Sequence, residues 1–447
     1  MSATAPVPQR RLFGTDGIRG VAGAFVSAEL ALAVARAATT RVRRDDRPAR
    51  VLVVRDTRES GEMLEAAVAA GIAAAGGEAL LGGVLPTPAA PLLLRRHGLD
   101  LAVVLSASHN PYADNGIKFF GSDGHKLSDE TELEIERMLD AGSAPDGAVG
   151  RVRDLPDAAD QYVEALAARF GDLDLTGLRI ALDCANGATH RVAPVVFERL
   201  GADVDVVAAE PDGRNINDNC GSTHVEALAA RVRDGGHHAG FAFDGDGDRV
   251  LAVDATGAVV DGDELVALAA RHLRDAGRLA GNGVAVTVMT NYGFHTAMAE
   301  AGIEVATTAV GDRYVLQALR DRGWALGGEQ SGHIIEMGFN ATGDGIASAL
   351  LVLEALGGRP LSERTGMEKL PQRLVNVRVA ERVELAEIDE LQRAIARESA
   401  QLEGRGRVLV RASGTEPLVR VMVEAPTDEE ADAVCGRLVG VVRAETG

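Results

Sequence analysis

Three stretches of the chain repeat one order of elements: an apolar run rich in β-branched residues, a small polar loop, an Ala-rich helical segment, a glycine and a second apolar run. The three stretches begin with "RVLVVRDTRES", "RIALDCANGAT" and "GVAVTVMTNYG". Helices that alternate with buried strands are typical of βαβ units. The repeat therefore predicts three similar α/β domains with mixed, mostly parallel sheets.

The last segment of the chain has a different pattern. The runs "RLVNVRVA", "GRVLVRAS" and "LVRVMVEA" alternate like strands around a helical stretch, "ELAEIDELQRAIARESAQL". This predicts a smaller C-terminal α+β domain. Because 447 residues are too many for one compact core, we expect four domains, placed at residues 1–157, 158–262, 263–371 and 372–447.

Composition excludes several classes of protein. The chain has no apolar run of transmembrane length, and its start lacks the apolar core of a secretory signal, so we expect a cytoplasmic protein. Its three cysteines show no C-x-x-C spacing, which argues against a zinc site or a disulfide framework. A net charge of -20 argues against broad contact with nucleic acid or anionic membranes, since such surfaces are bound by clustered Lys and Arg.

The most specific motif is "FDGDGDR" at residues 243–249, in which Asp244, Asp246 and Asp248 alternate with glycines after an apolar run. Three carboxylates this close repel one another unless a cation joins them, and their hard oxygens suit Mg²⁺ or Ca²⁺. Asp-Gly pairs also form ordinary hairpin turns, but the complete pattern favours a metal site. The glycine positions do not fit an EF-hand loop.

A second motif, "SASHNPYADNGIKFF", follows a predicted strand and contains Ser108. A serine at the end of a strand faces a cleft, but it is a weak nucleophile unless a base or a metal assists it. His109, Asn110 and Lys118 are candidates for that assistance. Serine, histidine and asparagine near a proline also form turns and helix caps, so this stretch alone does not decide the matter.

Phosphate binding is suggested by "RASGTEPLVR" at residues 411–420. Freed backbone N–H groups, hydroxyls and forked guanidinium groups together suit a phosphate monoester, although a hairpin turn is the simpler explanation. The candidate residues are Arg411, Ser413, Gly414, Thr415 and Arg420.

Two further loops carry the same ambiguity between a site and a turn. In "FGTDGIRG", Arg19 lies among glycines. In "GGEQSGHII", the side chains of Glu329, Ser331 and His333 can hydrogen-bond vicinal hydroxyls. Taken with the other motifs, they complete a hydroxyl nucleophile, a cation cage, a phosphate site and a sugar-like site. Phosphoryl transfer depends mostly on positioning and charge stabilisation and requires this set.

The motifs also carry a resemblance. "LFGTDGIRG", "SASHNPYADNGIKFFG", "DCANGAT", "FDGDGDR", "GGEQSGH" and "RASGTEPLVRVMVE" occur in this order along essentially the whole chain, which resembles the α-D-phosphohexomutase family. "GEQSGH" and "NGIKFF" are more similar to the branch that acts on glucosamine phosphates than to the phosphomannomutase/phosphoglucomutase branch.

The resemblance implies four domains around a central cleft. It also implies interconversion of glucosamine 6-phosphate and glucosamine 1-phosphate through a 1,6-bisphosphate, on the route to UDP-N-acetylglucosamine and peptidoglycan. Ser108 would be the phosphoserine, and one Mg²⁺ would be bound by Ser108, Asp244, Asp246 and Asp248. Monomer or homodimer would be the expected state.

The resemblance further implies roles for the remaining candidates. Arg19 and Arg249 would flank the transferring phosphoryl group, and His109 and Lys118 would assist hydrogen bonding or proton transfer. Glu329 and Ser331 would bind sugar hydroxyls, with His333 as an acid/base candidate. The phosphate that is not transferred would be bound by Arg411, Ser413, Gly414, Thr415 and Arg420. The loop "VGDRYV" at 310–315 would contact substrate.

Two rival functions remain open from the sequence. A metal-dependent serine phosphohydrolase also needs a hydroxyl nucleophile and carboxylate-bound cations, but it has no need of a second anion site at residues 411–420. A catalytically silent sugar-phosphate binding protein would not require both Ser108 and a complete set of aspartates.

Overall fold

The computed structural model describes residues 11–44, 46–142, 147, 149–380, 384–412 and 417–446. The chain packs as two units, one of residues 1–288 with 306–364 and the other of residues 289–305 with 365–447. Ser413, Gly414 and Thr415 of the predicted phosphate site lie outside the described residues.

The first α/β segment is built on a six-stranded sheet of order β1-β5-β4-β2-β3-β6. Its centre is parallel, from β4 through β2 and β3 to β6, whereas β5 pairs antiparallel with both β4 and β1. The strands are Ile18–Val21 (β1), Arg50–Arg55 (β2), Glu78–Val84 (β3), Leu101–Leu105 (β4), Asp114–Gly121 (β5) and Arg151–Asp154 (β6). The helices are Ala28–Val42 (α1), Ser60–Ala74 (α2), Ala89–His97 (α3) and Asp129–Asp140 (α4).

The strand β4 is buried along its whole length because helices cover both faces of this sheet. Alternate residues such as Val103 and Leu105 pack into one core with α1, α2 and α4. On the other face, α3 contacts β2 and β4. This packing fixes the point at which β4 ends and the Ser108 loop begins.

The second segment contains a five-stranded sheet of order β11-β10-β9-β7-β8. The strands β9, β7 and β8 are parallel neighbours, and β9 and β10 form an antiparallel hairpin in which Phe243 pairs with Val250. The six residues between these two strands, 244–249, form the turn of the hairpin and include the three aspartates of the acidic motif. The strands are Arg179–Asp183 (β7), Asp203–Val207 (β8), Ala239–Phe243 (β9), Val250–Asp254 (β10) and Val259–Val260 (β11), and the helices are Ala158–Arg169 (α5), Val192–Arg199 (α6) and Glu226–Gly235 (α7).

The third segment has a four-stranded sheet of order β13-β12-β14-β15. Parallel β12 and β14 are followed by an antiparallel β14–β15 hairpin, whose loop contains Glu329 and Ser331. The strands are Gly283–Thr287 (β12), Glu304–Thr308 (β13), Leu326–Gly328 (β14) and Ile334–Glu336 (β15). The helices are Gly262–Asp275 (α8), Tyr292–Glu300 (α9), Asp312–Arg322 (α10) and Gly345–Leu356 (α11), of which α9 belongs to the second packing unit.

The C-terminal segment is an antiparallel three-stranded sheet of order β16-β18-β17 with helices packed on it. Its elements are Gln372–Arg378 (β16), Asp389–Gln401 (α12), Arg407–Ala412 (β17), Leu418–Glu424 (β18) and Asp428–Thr446 (α13). Short 3-10 turns elsewhere span Gly221–Thr223, Ala280–Asn282, Leu361–Glu363 and Leu385–Glu387. The expected sequence of three α/β segments and a final α+β segment is confirmed.

Among the residues that the structure describes, no helix combines the length and the apolar character needed to span a bilayer.

Candidate active site

The Ser108 loop begins where β4 ends. Ser108 is fully buried, and its backbone is in the left-handed region at φ +53°. Its hydroxyl Oγ donates to Asp244 Oδ2 at 2.6 Å and lies 3.3 Å from His109 Nδ1. Burial, followed by the charges of Arg249 and Arg19, lowers the pKa of His109 to about 4. The imidazole next to the serine is therefore neutral near pH 7.

The acidic motif forms the turn of the β9–β10 hairpin. Asp244, Asp246 and Asp248 are all buried there, and each offers a carboxylate oxygen within 4.8 Å of the others. The positive φ of Gly247, +70°, allows the turn to bring the three side chains to one side. The sequence prediction that these carboxylates converge is confirmed.

The electrostatics of this acidic turn fit a bound cation. Burial and the charges of Asp248 and Asp246 raise the pKa of Asp244, because three carboxylates cannot readily ionise together in a buried site. Within the described residues, the buried oxygens Asp246 Oδ1 and Asp248 Oδ1 accept no hydrogen bond, although His333 Nδ1 and Arg249 Nε lie 3.6 Å and 3.7 Å from Asp248 Oδ1. A buried carboxylate oxygen without a hydrogen bond is costly unless a cation lies next to it, so the three aspartates form a candidate metal site.

Lys118 lies beside the acidic turn on β5. Its Nζ is 2.8 Å from Asp246 Oδ2, 3.1 Å from Asp16 Oδ2 and 3.7 Å from Asp248 Oδ2. Burial alone would lower the pKa of Lys118, but these three carboxylates outweigh it and raise the pKa. Lys118 is thus held as a cation, which suits charge stabilisation better than proton abstraction.

Two arginines lie close to the same turn. Arg249 is the last residue of the acidic motif, and its backbone N–H donates to Asp244 Oδ1 at 3.1 Å. Arg19 lies on β1 and pairs with Asp16. Among the described residues, the buried Nε of each arginine has no hydrogen-bond partner, although Arg249 Nε forms an ion pair with Asp248 Oδ1 at 3.7 Å. An anion between them would satisfy both groups.

The β14–β15 hairpin brings a histidine to the acidic turn. His333 Nδ1 is 3.6 Å from Asp248 Oδ1, and the Gly343 N–H donates to His333 Nε2 at 3.0 Å. Burial lowers the pKa of His333, but the carboxylates of Asp248 and Asp312 outweigh burial, so the pKa is raised. The hydrogen bond from the Gly343 N–H favours the neutral ring, because it needs an unprotonated Nε2.

The β14–β15 hairpin loop is hydrogen-bonded to residues 310–315, the loop expected to contact substrate. Glu329 Oε1 accepts a hydrogen bond from the Gly311 N–H at 2.9 Å. Ser331 is exposed at the tip of the hairpin. The structure therefore brings Glu329 to the 310–315 loop and leaves the Ser331 hydroxyl accessible.

The two arginines of the predicted phosphate site belong to the second packing unit. Arg411 on β17 and Arg420 on β18 are directly opposite each other in the antiparallel register. Burial, followed by the charge of Arg420, lowers the pKa of Arg411. Among the described residues, neither arginine pairs with a carboxylate, and Arg420 Nε is buried without a partner. Like charges opposite each other favour an anion between them.

Several residues that sequence reasoning missed complete the first unit's site. Thr87 Oγ1 donates to Asp246 Oδ2 at 2.7 Å, which fixes one aspartate of the triplet. Lys126 pairs with both Asp16 and Asp312, and so connects the β1 region to the start of α10. The signal for Lys126 was weak, because an isolated charged residue in a loop is most often a solvated one, whereas Asp312 lies in the 310–315 loop that the resemblance implied.

Four family models match the chain in consecutive segments, together covering most of it. They are described as phosphoglucomutase/phosphomannomutase alpha/beta/alpha domain I (residues 10–146), domain II (160–257), domain III (261–373) and the C-terminal domain (374–441). The chain belongs to the phosphoglucomutase/phosphomannomutase family.

The curated relatives of this chain include the following two phosphoglucosamine mutases. The protein from Pelotomaculum thermopropionicum is 51% identical, with 97% of this chain and 99% of that protein covered. The protein from Saccharopolyspora erythraea is 52% identical, with the same coverage. A solved phosphoglucomutase/phosphomannomutase family protein from Burkholderia thailandensis superposes with a TM-score of 0.81 at 25% identity, over 99% of each chain.

Proposed function

We propose that this protein interconverts glucosamine 6-phosphate and glucosamine 1-phosphate. The observation that carries the proposal is the contact between Ser108 Oγ and Asp244 Oδ2 at 2.6 Å, which places a nucleophilic hydroxyl at a candidate cation site. Family membership supports a hexose phosphate mutase, and the phosphoglucosamine mutases at 51% and 52% identity support this substrate over other hexose phosphates.

The cation we propose is one Mg²⁺ per chain. Asp244, Asp246 and Asp248 would hold it together with the Ser108 oxygen, since Mg²⁺ prefers a few carboxylates and phosphate oxygens as ligands. When bound, Mg²⁺ would neutralise negative charge on the phosphoryl group and on the aspartates. Asp246 Oδ1, which is buried and accepts no hydrogen bond from the described residues, supports this assignment.

The reaction is a pair of phosphoryl transfers in opposite directions. In the first, the bond between phosphorus and Ser108 Oγ breaks as a bond to a sugar hydroxyl oxygen forms, and the sugar hydroxyl loses its proton to a base. The product is a 1,6-bisphosphate. In the second, the other phosphoryl group returns to Ser108 and the sugar oxygen regains a proton. His109, neutral and next to Ser108, and His333 are the proton-transfer candidates.

Fixed positive charges would stabilise the transferring group. Lys118 is buried as a cation, and the buried Nε of Arg19 and of Arg249 has no hydrogen-bond partner among the described residues. A preorganised donor of this kind contributes about 3 kcal/mol in a site that excludes water. Arg19 lies on β1, Lys118 lies on β5, and Arg249 is the last residue before β10.

The sugar and the phosphate that is not transferred require separate contacts. We assign sugar hydroxyls to Glu329 and Ser331, and the non-transferring phosphate to the C-terminal site, which comprises Arg411, Ser413, Gly414, Thr415 and Arg420. The 1,6-bisphosphate would serve as both intermediate and activator. We propose domain limits of 1–157, 158–262, 263–371 and 372–447, a cytoplasmic location, and a monomer or homodimer.

Direct assay of the purified protein tests this function. Equal concentrations of glucosamine, glucose and mannose 6-phosphates are supplied with Mg²⁺ and a trace of hexose 1,6-bisphosphate, and each 1-phosphate is quantified with inorganic phosphate. The proposal expects the fastest turnover on glucosamine 6-phosphate without phosphate release. Faster turnover of mannose or glucose phosphates would assign the other branch, and stoichiometric phosphate release would indicate a phosphohydrolase.

A further inference from the structure

Both polar backbone groups of Ser108 are anchored. A left-handed backbone conformation is unfavourable for a residue with a side chain, so a serine at φ +53° has to be held there by its surroundings. Two side chains donate to the Ser108 carbonyl, and a third accepts from its N–H. Of these residues, Ser106 belongs to the Ser108 motif, Arg58 lies in the loop after β2, and Asn217 lies outside the motifs considered above.

The first anchor is Arg58, whose guanidinium is fully buried. Its Nη2 donates to Ser108 O and to Asn110 O, both at 2.9 Å. Its Nη1 donates to Asp114 O at 3.0 Å and to Pro111 O. One planar fork therefore binds four carbonyls of a single loop, a pattern that the compact ammonium of lysine cannot reproduce.

The second anchor reaches the N–H of Ser108 from the same ion pair. Arg58 Nε donates to Asp56 Oδ2 at 2.8 Å, and Ser106 Oγ donates to that same oxygen at 2.6 Å. Ser106 Oγ in turn accepts from the Ser108 N–H at 2.9 Å. Hydrogen bonds therefore connect both the N–H and the carbonyl of Ser108 to one buried Asp56–Arg58 pair, the N–H through Ser106 and the carbonyl directly through Arg58.

The third anchor comes from the second α/β segment. Asn217 Nδ2 donates to Ser108 O at 2.9 Å and to Asn110 O at 3.2 Å, the two carbonyls that Arg58 Nη2 also binds. The acidic turn packs against this contact, since a Cβ added to Gly245 would lie 2.7 Å from both Ser108 O and Asn217 Nδ2. The serine loop and the acidic turn therefore pack together at the Ser108 carbonyl.

We propose that Arg58 and Asn217 are positioning residues that act through the Ser108 carbonyl to aim Oγ at Asp244. With both backbone groups fixed, the direction of Oγ depends only on the side-chain torsion of Ser108. The inference rests on the proposed phosphoryl transfer at Ser108, where a displacement of about 1 Å can reduce the rate about 100-fold.

Asn217→Gly tests the inference with a matched control two residues away. Glycine removes the side chain and tolerates the left-handed backbone at φ +58°. Asn219→Gly is the control, because Asn219 has φ +52°, is exposed and, among the described residues, donates a side-chain hydrogen bond only to the neighbouring Asp218. We expect Asn217→Gly to lower kcat at least about tenfold with KM changed less than about twofold, and Asn219→Gly to match the wild type.

Arg58→Lys is the second test, since it keeps the charge beside Asp56 and removes the fork. Arg55→Lys is its control, because the Arg55 side chain pairs with Glu62 and Glu65, makes only a long contact of 3.4 Å to Asp56 O, and binds no carbonyl of the serine loop within the described residues. The kcat of every variant is divided by the fraction of Ser108 that carries phosphate, measured by intact mass, and the melting temperature is recorded. If Arg58→Lys does not fold, the normalised kcat of Asn217→Gly alone decides whether the inference holds.

The normalised kcat separates positioning from folding. Reduced kcat per phosphorylated serine in Asn217→Gly, with normal kcat in both controls, supports the inference, as does a double variant that loses less than the product of the two single losses. Normalised kcat within about twofold of the wild type in Asn217→Gly would overturn it, whatever its melting temperature. Failure of the proposed function has a different signature, because the wild type and both controls would then also lack turnover.

Discussion

Ser108 Oγ and Asp244 Oδ2 lie 2.6 Å apart although the two residues are 136 positions apart in the chain. Ser108 follows a strand of the first sheet, and Asp244 begins the turn of a hairpin in the second. The Thr87 N–H also donates to Asp246 O at 2.8 Å, so the two α/β segments meet at more than one backbone position. The catalytic account depends on this junction, because neither segment alone contains both a nucleophile and a cation site.

Asp246→Asn should weaken metal dependence and rate together. The substitution removes one negative ligand, so we expect the Mg²⁺ concentration for half-maximal activity to rise at least about tenfold and kcat to fall by a similar factor. A magnesium titration of EDTA-treated protein measures both. Asp234→Asn, on an exposed residue paired with Arg233, is the control. An unchanged titration curve for Asp246→Asn would remove Asp246 from the metal site.

Glu329 should contribute to substrate binding in two ways, through its negative charge and through its hydrogen bond with the Gly311 N–H. Glu329→Gln keeps an oxygen that can accept from the Gly311 N–H but loses the charge, whereas Glu329→Ala loses both. We expect the KM for glucosamine 6-phosphate to rise a few-fold for Gln and at least about tenfold for Ala, because only Ala releases the 310–315 loop. Steady-state kinetics measure the difference. Equal effects of the two substitutions would show that the Gly311 bond does not matter for substrate binding.

Arg420→Ala should weaken the binding of both sugar phosphates. A hydrogen bond to a charged group contributes about 1.5–3 kcal/mol, so KM should rise about 10- to 100-fold for glucosamine 6-phosphate and glucosamine 1-phosphate alike. Arg393→Ala, on the exposed face of α12 beside Glu390, is the control. A KM effect on only one of the two substrates would contradict a site for the non-transferring phosphate.

Asp344 should make stability depend on pH. It caps α11 with its carboxylate, accepts from Tyr162 OH at 2.9 Å, and is buried; burial raises its pKa to about 6. Because the unfolded pKa is about 3.9, the folded state binds this proton more tightly. Its stabilising contribution is therefore complete below about pH 4 and is lost as the pH rises through about 6, by roughly 3 kcal/mol in total.

Asp344→Asn removes that titration. The measured quantity is the melting temperature of Asp344→Asn minus that of the wild type, obtained by scanning fluorimetry. We expect this difference to be more positive at pH 7.5 than at pH 4.5. Asp172→Asn, an exposed substitution, serves as the control. The same difference at both pH values would mean that Asp344 does not titrate in this range.

Much of the fold followed from periodicity. The three repeated strand–loop–helix units are the cores of the three α/β segments, and the alternating runs after residue 372 are the antiparallel C-terminal sheet. The convergence of Asp244, Asp246 and Asp248 was also predictable, because a Gly-containing acidic turn has few other ways to arrange three buried carboxylates.

The supporting residues were harder to predict, for a physical reason. Arg58 lies in a loop of ordinary composition, and its role depends on four carbonyls that belong to a different loop. Asn217 lies in an irregular Asn- and Asp-rich segment, where such residues most often form turns. Backbone hydrogen bonds from distant side chains leave no periodic pattern, so only the three-dimensional arrangement identifies them.

The transfer of label to Ser108 tests the central claim most directly. The protein, first freed of phosphate at Ser108 by a phosphatase, is incubated with Mg²⁺ and glucosamine 1,6-bisphosphate carrying ³²P and quenched within one turnover. The labelled peptide is identified by mass spectrometry, and Ser108→Ala is treated in parallel. The account predicts label on the peptide containing Ser108, formed at least as fast as kcat, and neither label nor turnover in Ser108→Ala. Wild-type turnover without label at Ser108, or undiminished turnover by Ser108→Ala, would contradict it.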